Sequence, residues 1–168
     1  PISSISISEL SEAADINRKT FYNNYDSIDD VIKGINQKLS MRIFSSLPDK
    51  ITIHNEIEIY NLLLNFTTAL EPHKDILKKM TRDQKNLPFF EYFKDQILPY
   101  VEKNLISYHV DAALTPYINS YLVNGLSSIL FTWVNEEALN SEQVALLCYN
   151  LTISSIKLDN YKDIHVKK

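Results

Sequence analysis

Glycine is scarce in this chain, and its scarcity constrains the fold more than any other feature. Only two glycines and six prolines occur among 168 residues. β-proteins depend on glycine and proline for their turns, and strand-like alternation is convincing only at Ile51-Thr52-Ile53. A glycine-rich phosphate loop is likewise absent from the sequence. With a hydrophobic content of 45%, the chain is predicted to be all-α with a real core.

The stretch Ile5–Tyr25 has the pattern of two short helices joined by a tight corner. Ser6 is a good N-cap, and Glu9 stands three residues later, as in a capping box. Asp15 falls at the corner, where the chain must leave helical geometry. Asn17 then caps the second helix. This arrangement predicts a helix-turn-helix.

The second helix of this pattern carries hydrogen-bond donors at its N-terminal end, and an aromatic residue that anchors the helix follows them. Arg18, Lys19 and Thr20 offer groups that bind base edges and phosphates in the major groove. Phe21 is expected to be the core anchor, while Ile16 is expected to fill the corner. The alternative to DNA binding is a purely structural surface corner that happens to carry two exposed basic residues. The run Ala-Ala-Asp-Ile-Asn-Arg-Lys-Thr-Phe-Tyr-Asn-Asn-Tyr favours DNA binding.

This run, with the Asp-Ser-Ile-Asp-Asp-Val-Ile that follows, resembles the DNA-binding segment of the TetR/AcrR family of bacterial regulators. The family has an Ala-Ala-Gly-Val-Ser corner, a Thr-Phe-Tyr-x-x-Phe recognition helix and a Ser-Lys-Glu-Glu-Leu start to the next helix. Here Asp15 replaces the corner glycine, and Ile28 replaces a lysine that would contact phosphate. The resemblance implies DNA contacts at Ser6, Asn17, Arg18, Lys19, Thr20, Tyr22, Asn23 and Tyr25.

The family also has a helix before this motif, which completes a three-helix core. The given sequence begins with Pro1-Ile2-Ser3-Ser4 and enters the motif at once. We therefore expect the natural protein to carry that first helix upstream. The formal net charge of the chain is -4, whereas a generic nucleic-acid-binding protein is basic. Any attraction to DNA must therefore come from basic residues clustered at the recognition helix.

The rest of the chain has the pattern of a helical body. Residues 1–46 are predicted to hold the DNA-binding head and a linking helix, and residues 47–168 an effector-binding and dimerisation domain. Further helices are predicted near 27–46, 55–70, 72–80, 88–101, 116–135 and 140–157. Pro99 is expected to kink the fourth of these.

The last two helices are apolar over most of their girth, which suits a two-fold four-helix bundle between subunits. The family dimerises in this way, and residues 117–151 are weakly similar to the dihydroxyacetone-kinase-activator-like group. The residues predicted for the dimer interface are Ile118, Leu122, Gly125, Ile129, Trp133, Val144, Leu147 and Leu151.

Aromatic residues near the predicted kink favour a ligand cavity, although a solid aromatic core is an open alternative. The residues predicted to line it are Phe66, Tyr92, Phe93, Tyr100 and Tyr121. Because no lysine or arginine is among them, a small neutral or aromatic effector is expected.

Catalysis is not indicated by the sequence. The four histidines show no metal-ligand spacing, and no nucleophile motif or Walker sequence occurs. Cys148 is alone and suits a small core residue. Neither a metal nor a cofactor is predicted. With no signal peptide and no membrane span, a cytoplasmic protein is expected.

The sequence therefore predicts a homodimeric, ligand-responsive transcription regulator, most simply a repressor released from a palindromic operator by a small molecule. The alternative is a TetR-like regulator, either a repressor or an activator, controlled by docking of a partner protein without a small-molecule effector.

Overall fold

The computed structural model describes residues 4–45, 55–81, 94, 95, 97, 98, 101, 111–136 and 138–156. Every regular element within these residues is helical, which confirms the all-α class. The predicted boundary between residues 46 and 47 and the predicted kink at Pro99 lie outside them. In chain order the elements are α1 Ile7–Ala13, α2 Arg18–Tyr22, α3 Ile28–Ser45, α4 Glu56–Leu70, the 3₁₀ turn Glu71–His73, α5 Lys74–Thr81, α6 Thr115–Asn135 and α7 Ser141–Ile156.

Side-chain caps fix the starts of two body helices, α4 and α7, where the sequence predicts them. Asn55 Oδ1 accepts a hydrogen bond from the backbone N–H of Glu58 at 3.1 Å. Asn140 and Gln143 exchange backbone-to-side-chain hydrogen bonds of 2.9 and 3.1 Å at the start of α7. The helix predicted from Pro72 begins instead as the 3₁₀ turn Glu71–His73, which leads into α5. Each cap satisfies backbone N–H groups that have no partner within their own helix.

The main core lies where α3, α4, α5, α6 and α7 meet. α4 and α6 both pack against α7, α5 packs against α6, and α3 packs against α4. The buried residues of this core are Leu39, Ile43, Phe66, Leu70, Leu77, Leu126, Leu130, Trp133, Val134, Val144 and Cys148. A second cluster, further along α4, α6 and α7, contains Ile59, Ile118, Leu122, Ile153 and Ile156.

Four of the residues predicted for the dimer interface have side chains that are buried inside the single chain. Ile118, Leu122, Trp133 and Val144 have exposed fractions of 6%, 5%, 3% and 0%. α6 packs against both α5 and α7, so its apolar stripes are used within the chain. The remaining four are open to a partner: Gly125 and Ile129 are half-buried, and Leu147 and Leu151 are exposed.

Within the described residues, each helix falls short of the combined length and apolarity that a membrane span requires.

Candidate nucleic-acid interface

α1 begins with the predicted capping box. The backbone N–H of Glu9 donates to Ser6 Oγ at 3.2 Å, and the backbone N–H of Ser6 donates to Glu9 Oε2 at 2.8 Å. The Ser6 hydroxyl also donates to the same carboxylate oxygen at 2.7 Å. These hydrogen bonds favour the ionised form and lower the pKa of Glu9. The polar atoms of Ser6, a predicted DNA contact, are therefore already used to cap α1.

The corner between α1 and α2 is a Schellman motif. Asp15 has φ 53°, in the left-handed region that normally selects glycine. The backbone N–H of Ile16 donates to Ser11 O at 2.9 Å, and that of Asp15 donates to Glu12 O at 3.1 Å. These two bonds satisfy carbonyl groups at the end of α1 and fix the direction in which the chain leaves the helix. The sequence located this corner correctly, but Ile16 does not fill it, because its side chain is 39% exposed.

Asn17 starts α2 directly after the corner. Its Oδ1 accepts from the backbone N–H of Thr20 at 2.7 Å and from the Thr20 hydroxyl at 3.1 Å. At the other end, Asn24 Nδ2 donates to the Thr20 carbonyl at 2.8 Å. Sequence reasoning missed this last bond, since an exposed asparagine between polar neighbours gives no signal of its partner. α2 is only five residues long, so these bonds and its packing hold it in place.

Phe21 anchors α2 and is 2% exposed, as predicted. Its ring lies 5.5 Å from that of Tyr22 and 6.0 Å from that of Tyr25, measured between centroids. Tyr25 is half-buried, and its Cε1 lies 3.7 Å from where a Cβ on Gly34 would be. Tyr25 therefore packs between α2 and α3, and this contact gives it a structural role in addition to any contact with DNA.

The outward side of α2 is polar and carries both basic residues of the motif. Arg18, Lys19, Thr20 and Asn23 are exposed, and Tyr22 is 56% exposed. Within the described part of the chain, the side chains of Arg18 and Lys19 form no hydrogen bond or ion pair. Their donors are therefore available to an external acceptor. We name this surface the α2 face; it consists of Asn17, Arg18, Lys19, Thr20, Tyr22 and Asn23.

Acidic residues flank the α2 face along the chain. Asp26 and Asp29 are exposed, and Asp30 is half-buried at the start of α3, where its backbone N–H donates to Ser27 Oγ at 3.1 Å. Residues 1–46 hold five lysines and arginines against six aspartates and glutamates, a net charge of -1. Attraction of phosphate to the two basic residues of the α2 face is therefore local, because it is screened beyond about 10 Å at ordinary salt concentrations.

Two of the residues predicted to line the ligand cavity, Phe66 and Tyr121, lie within the described part of the chain. Phe66 is 2% exposed inside the main core, where its ring lies 6.0 Å from that of Phe44. Tyr121 is 60% exposed on α6. The two side chains were predicted to share a cavity, but one is solid core and the other is surface. Tyr92, Phe93 and Tyr100 lie outside the described residues.

A different depression is present at the corner between α6 and α7. It is a half-open groove of about 330 Å³. α6, α7 and their connection contribute its walls, which are mostly apolar. The lining residues are Ser128, Ile129, Thr132, Trp133, Glu136, Ala138, Leu139, Val144 and Leu147. Trp133 Nε1 donates to the Leu139 carbonyl at 2.8 Å, so the floor of this groove is held in a fixed position.

The described residues contain no cluster of histidine, cysteine and carboxylate side chains that could hold a metal ion. Comparisons of the chain with protein-family models, with curated proteins and with solved structures found no match.

Proposed function

We propose that this chain is the DNA-binding and dimerisation part of a transcription regulator that resembles the TetR/AcrR family. α2 is the recognition helix, and the α2 face enters the major groove. One observation carries the proposal. Arg18 and Lys19 are exposed and unpaired within the described residues, on a helix whose entry is fixed by a Schellman corner and an asparagine cap.

Fixed geometry matters because sequence readout needs donors held in register with base edges. A mobile pair of basic side chains would add only attraction to phosphate, which carries no sequence information directly. In this proposal the regulator is a homodimer that reads two half-sites about 34–36 Å apart, and a repressor that a small neutral or aromatic effector releases from DNA.

The alternative form of regulation is docking of a partner protein. Two observations support it. Tyr121 lies on the surface and not in the wall of a cavity, and other apolar side chains on α6 and α7 are also exposed. Both forms share the DNA-binding head, so the head is tested first.

The experiment uses the full-length protein and duplex DNA selected from a random-sequence library. Band-shift titrations compare wild type with Arg18→Ala and Lys19→Ala. Each substitution is expected to weaken binding by ~1–3 kcal/mol where the residue reads a base. Lys79→Ala is the charge-matched control, because Lys79 is an exposed residue of α5 in the body. If library selection enriches no sequence, or if the three variants bind alike, the proposal is wrong.

A further inference from the structure

α3 carries two polar side chains that are buried without a hydrogen-bond partner. Asn36 is 3% exposed, and Ser40 lies fully buried one helical turn further along the same face. Within the described part of the chain, neither the amide oxygen nor the amide nitrogen of Asn36 has a partner, and the Ser40 hydroxyl has none either. Buried polar groups are normally hydrogen-bonded, so this exception requires a physical explanation.

Comparable polar residues elsewhere in the helices are satisfied by their own helix. The hydroxyl of Ser127, which is also buried, donates to the Val123 carbonyl at 2.6 Å on α6. Further along the same helix, Asn135 Nδ2 donates to the Phe131 carbonyl at 2.9 Å. A bond to the carbonyl four residues earlier is open to serine and asparagine in any helix. The two α3 residues do not form it, so their polar groups stay without compensation.

The two residues lie between a contact of α3 with the head and a contact of α3 with the body. On the head side, Tyr25 Cε1 is 3.7 Å from where a Cβ on Gly34 would be. On the body side, the ring of Phe44 lies 6.0 Å from that of Phe66 in the main core. The uncompensated groups therefore occupy the junction between the two regions.

Keeping these groups buried and unpaired costs free energy, because each has given up its hydrogen bonds with water. A motion that exposes them to water recovers that cost. Local opening of α3 is therefore easier at this junction than in a stretch of helix whose buried groups are apolar or paired. Segments with a low free energy of opening are the ones that move while the rest of a protein stays folded.

We propose that α3 opens locally around Asn36 and Ser40, and that this opening lets the head change its orientation relative to the body while both remain folded. In the opened state the two side chains hydrogen-bond to water. Any molecule that binds only one of the two states shifts the balance between them. Only this link to regulation rests on the proposed function, since the opening itself requires neither DNA nor a second subunit.

The first test is urea unfolding of the full-length protein at one fixed protein concentration. Asn36→Leu and Ser40→Ala remove the polar groups with little change in the size of the side chain. Each should lower the equilibrium constant of unfolding roughly 5-fold, because the cost of the unpaired group disappears. Most substitutions of buried residues act in the opposite direction, so stabilisation is a specific outcome of the proposal.

Ser127→Ala and Asn135→Leu are the matched controls, because the polar groups of these residues are paired. The Ser127 hydroxyl is bonded within α6, and Asn135 Oδ1 accepts from the Thr81 hydroxyl at 3.1 Å. Ser127→Ala should stabilise the protein less than Ser40→Ala, although both substitutions gain the same helix propensity. Asn135→Leu should destabilise it, because existing hydrogen bonds are lost. The proposal is overturned if Asn36→Leu and Ser40→Ala are no more stable than wild type, or do not fold.

Native-state hydrogen exchange tests the opening itself. In wild type, the amides of residues 36–43 should exchange at least ~10-fold faster than the buried amides of α7, and nearly independently of low urea concentrations, since a local opening exposes little surface. Asn36→Leu should slow the exchange of these α3 amides. Exchange of α3 only through global unfolding, with the urea dependence of α7, would show that α3 does not open locally. Neither experiment contains DNA, so its failure is distinct from a failure of the DNA-binding proposal.

Discussion

The α2 face and the exposed part of α6 and α7, which includes Tyr117, Tyr121, Leu147 and Leu151, are formed by interactions that differ in range. The bonds that build the head join near neighbours, such as Ser6 with Glu9, Ser11 with Ile16 and Asn17 with Thr20. The exposed part of α6 and α7, by contrast, depends on contacts between helices far apart in sequence. One such contact is the hydrogen bond from Thr67 Oγ1 to the Ser141 carbonyl at 2.9 Å.

This difference is consistent with the proposed recognition of DNA by the head and of protein by the body. Short-range caps hold polar donors in place with little need for a core, so the donors stay exposed. Long-range packing of apolar helices leaves apolar residues at the margin of the core, and a partner can cover them. The two surfaces should therefore respond differently to the same kinds of substitution.

The largest expected effect comes from removing an equivalent aromatic anchor in each region. Phe21 and Phe66 are both 2% exposed, and replacement by alanine in such sites costs ~3–5 kcal/mol. Phe21→Ala should abolish amide-exchange protection in α1 and α2 while leaving α6 and α7 protected. Phe66→Ala should lower protection throughout the body. Loss of protection in α7 from Phe21→Ala would show that head and body unfold as one unit, and it would contradict the difference in interaction range between them.

A smaller effect comes from adding a glycine in one region and removing one in the other. Asp15→Gly should raise the free energy of unfolding by ~0.5 kcal/mol, because relief of left-handed strain exceeds the added freedom of the unfolded chain. Gly125→Ala should stabilise the dissociated chain by up to ~1 kcal/mol, because alanine favours helix and its methyl group meets open space.

Urea unfolding at concentrations where the chain is monomeric checks both substitutions. The control is Asp15→Ala, which keeps the left-handed strain and should not stabilise the protein. If Asp15→Ala stabilised the protein as much as Asp15→Gly, relief of left-handed strain at the corner could not be the cause.

The smallest expected effect is a pH dependence confined to α1. The pKa of Glu9 is lowered by its hydrogen bonds with Ser6. A carboxylate with a depressed pKa in the folded state stabilises that state above its unfolded pKa, and the stabilisation is lost as the pH falls through the folded value. Amide protection in α1 should therefore decrease at acidic pH in wild type.

Glu9→Gln is the control for this effect, because glutamine can complete a capping box without ionising. Its α1 protection should be nearly independent of pH over the same range. An equal decrease in both proteins would mean that other groups cause the acid sensitivity.

The sequence predicted the head better than the body, because the interactions of the head join residues close together in sequence. Ser6, Asp15 and Asn17 were correctly placed because capping and turn rules depend on neighbouring residues. Trp133 was assigned to the subunit interface, but it is buried under contacts that include Lys74 Nζ, 4.4 Å from its ring centroid. Periodicity shows that α6 has two apolar stripes, yet it does not show which neighbouring helix covers each.

The different environments of Phe66 and Tyr121, which were both predicted to line the ligand cavity, have a related cause. Tyr121 was grouped with Phe66 because both are aromatic and lie in the body. Their environments are set by the packing of α4, α6 and α7, which no local pattern encodes. The groove at the α6–α7 corner is equally a product of packing, and no sequence signal marked it.

The salt dependence of DNA binding tests the central claim most directly, because it reports contacts made by individual side chains on the α2 face. The full-length protein and its selected duplex are titrated at several salt concentrations, as wild type, Lys19→Ala and Lys79→Ala. Where Lys19 contacts phosphate, Lys19→Ala should reduce the slope of log K against log salt by about 1. Where it reads a base, binding should instead weaken by ~1–3 kcal/mol on the selected site alone. Lys79→Ala should match wild type. A Lys19→Ala protein with wild-type slope and wild-type affinity would contradict the assignment of α2 as the DNA-binding helix.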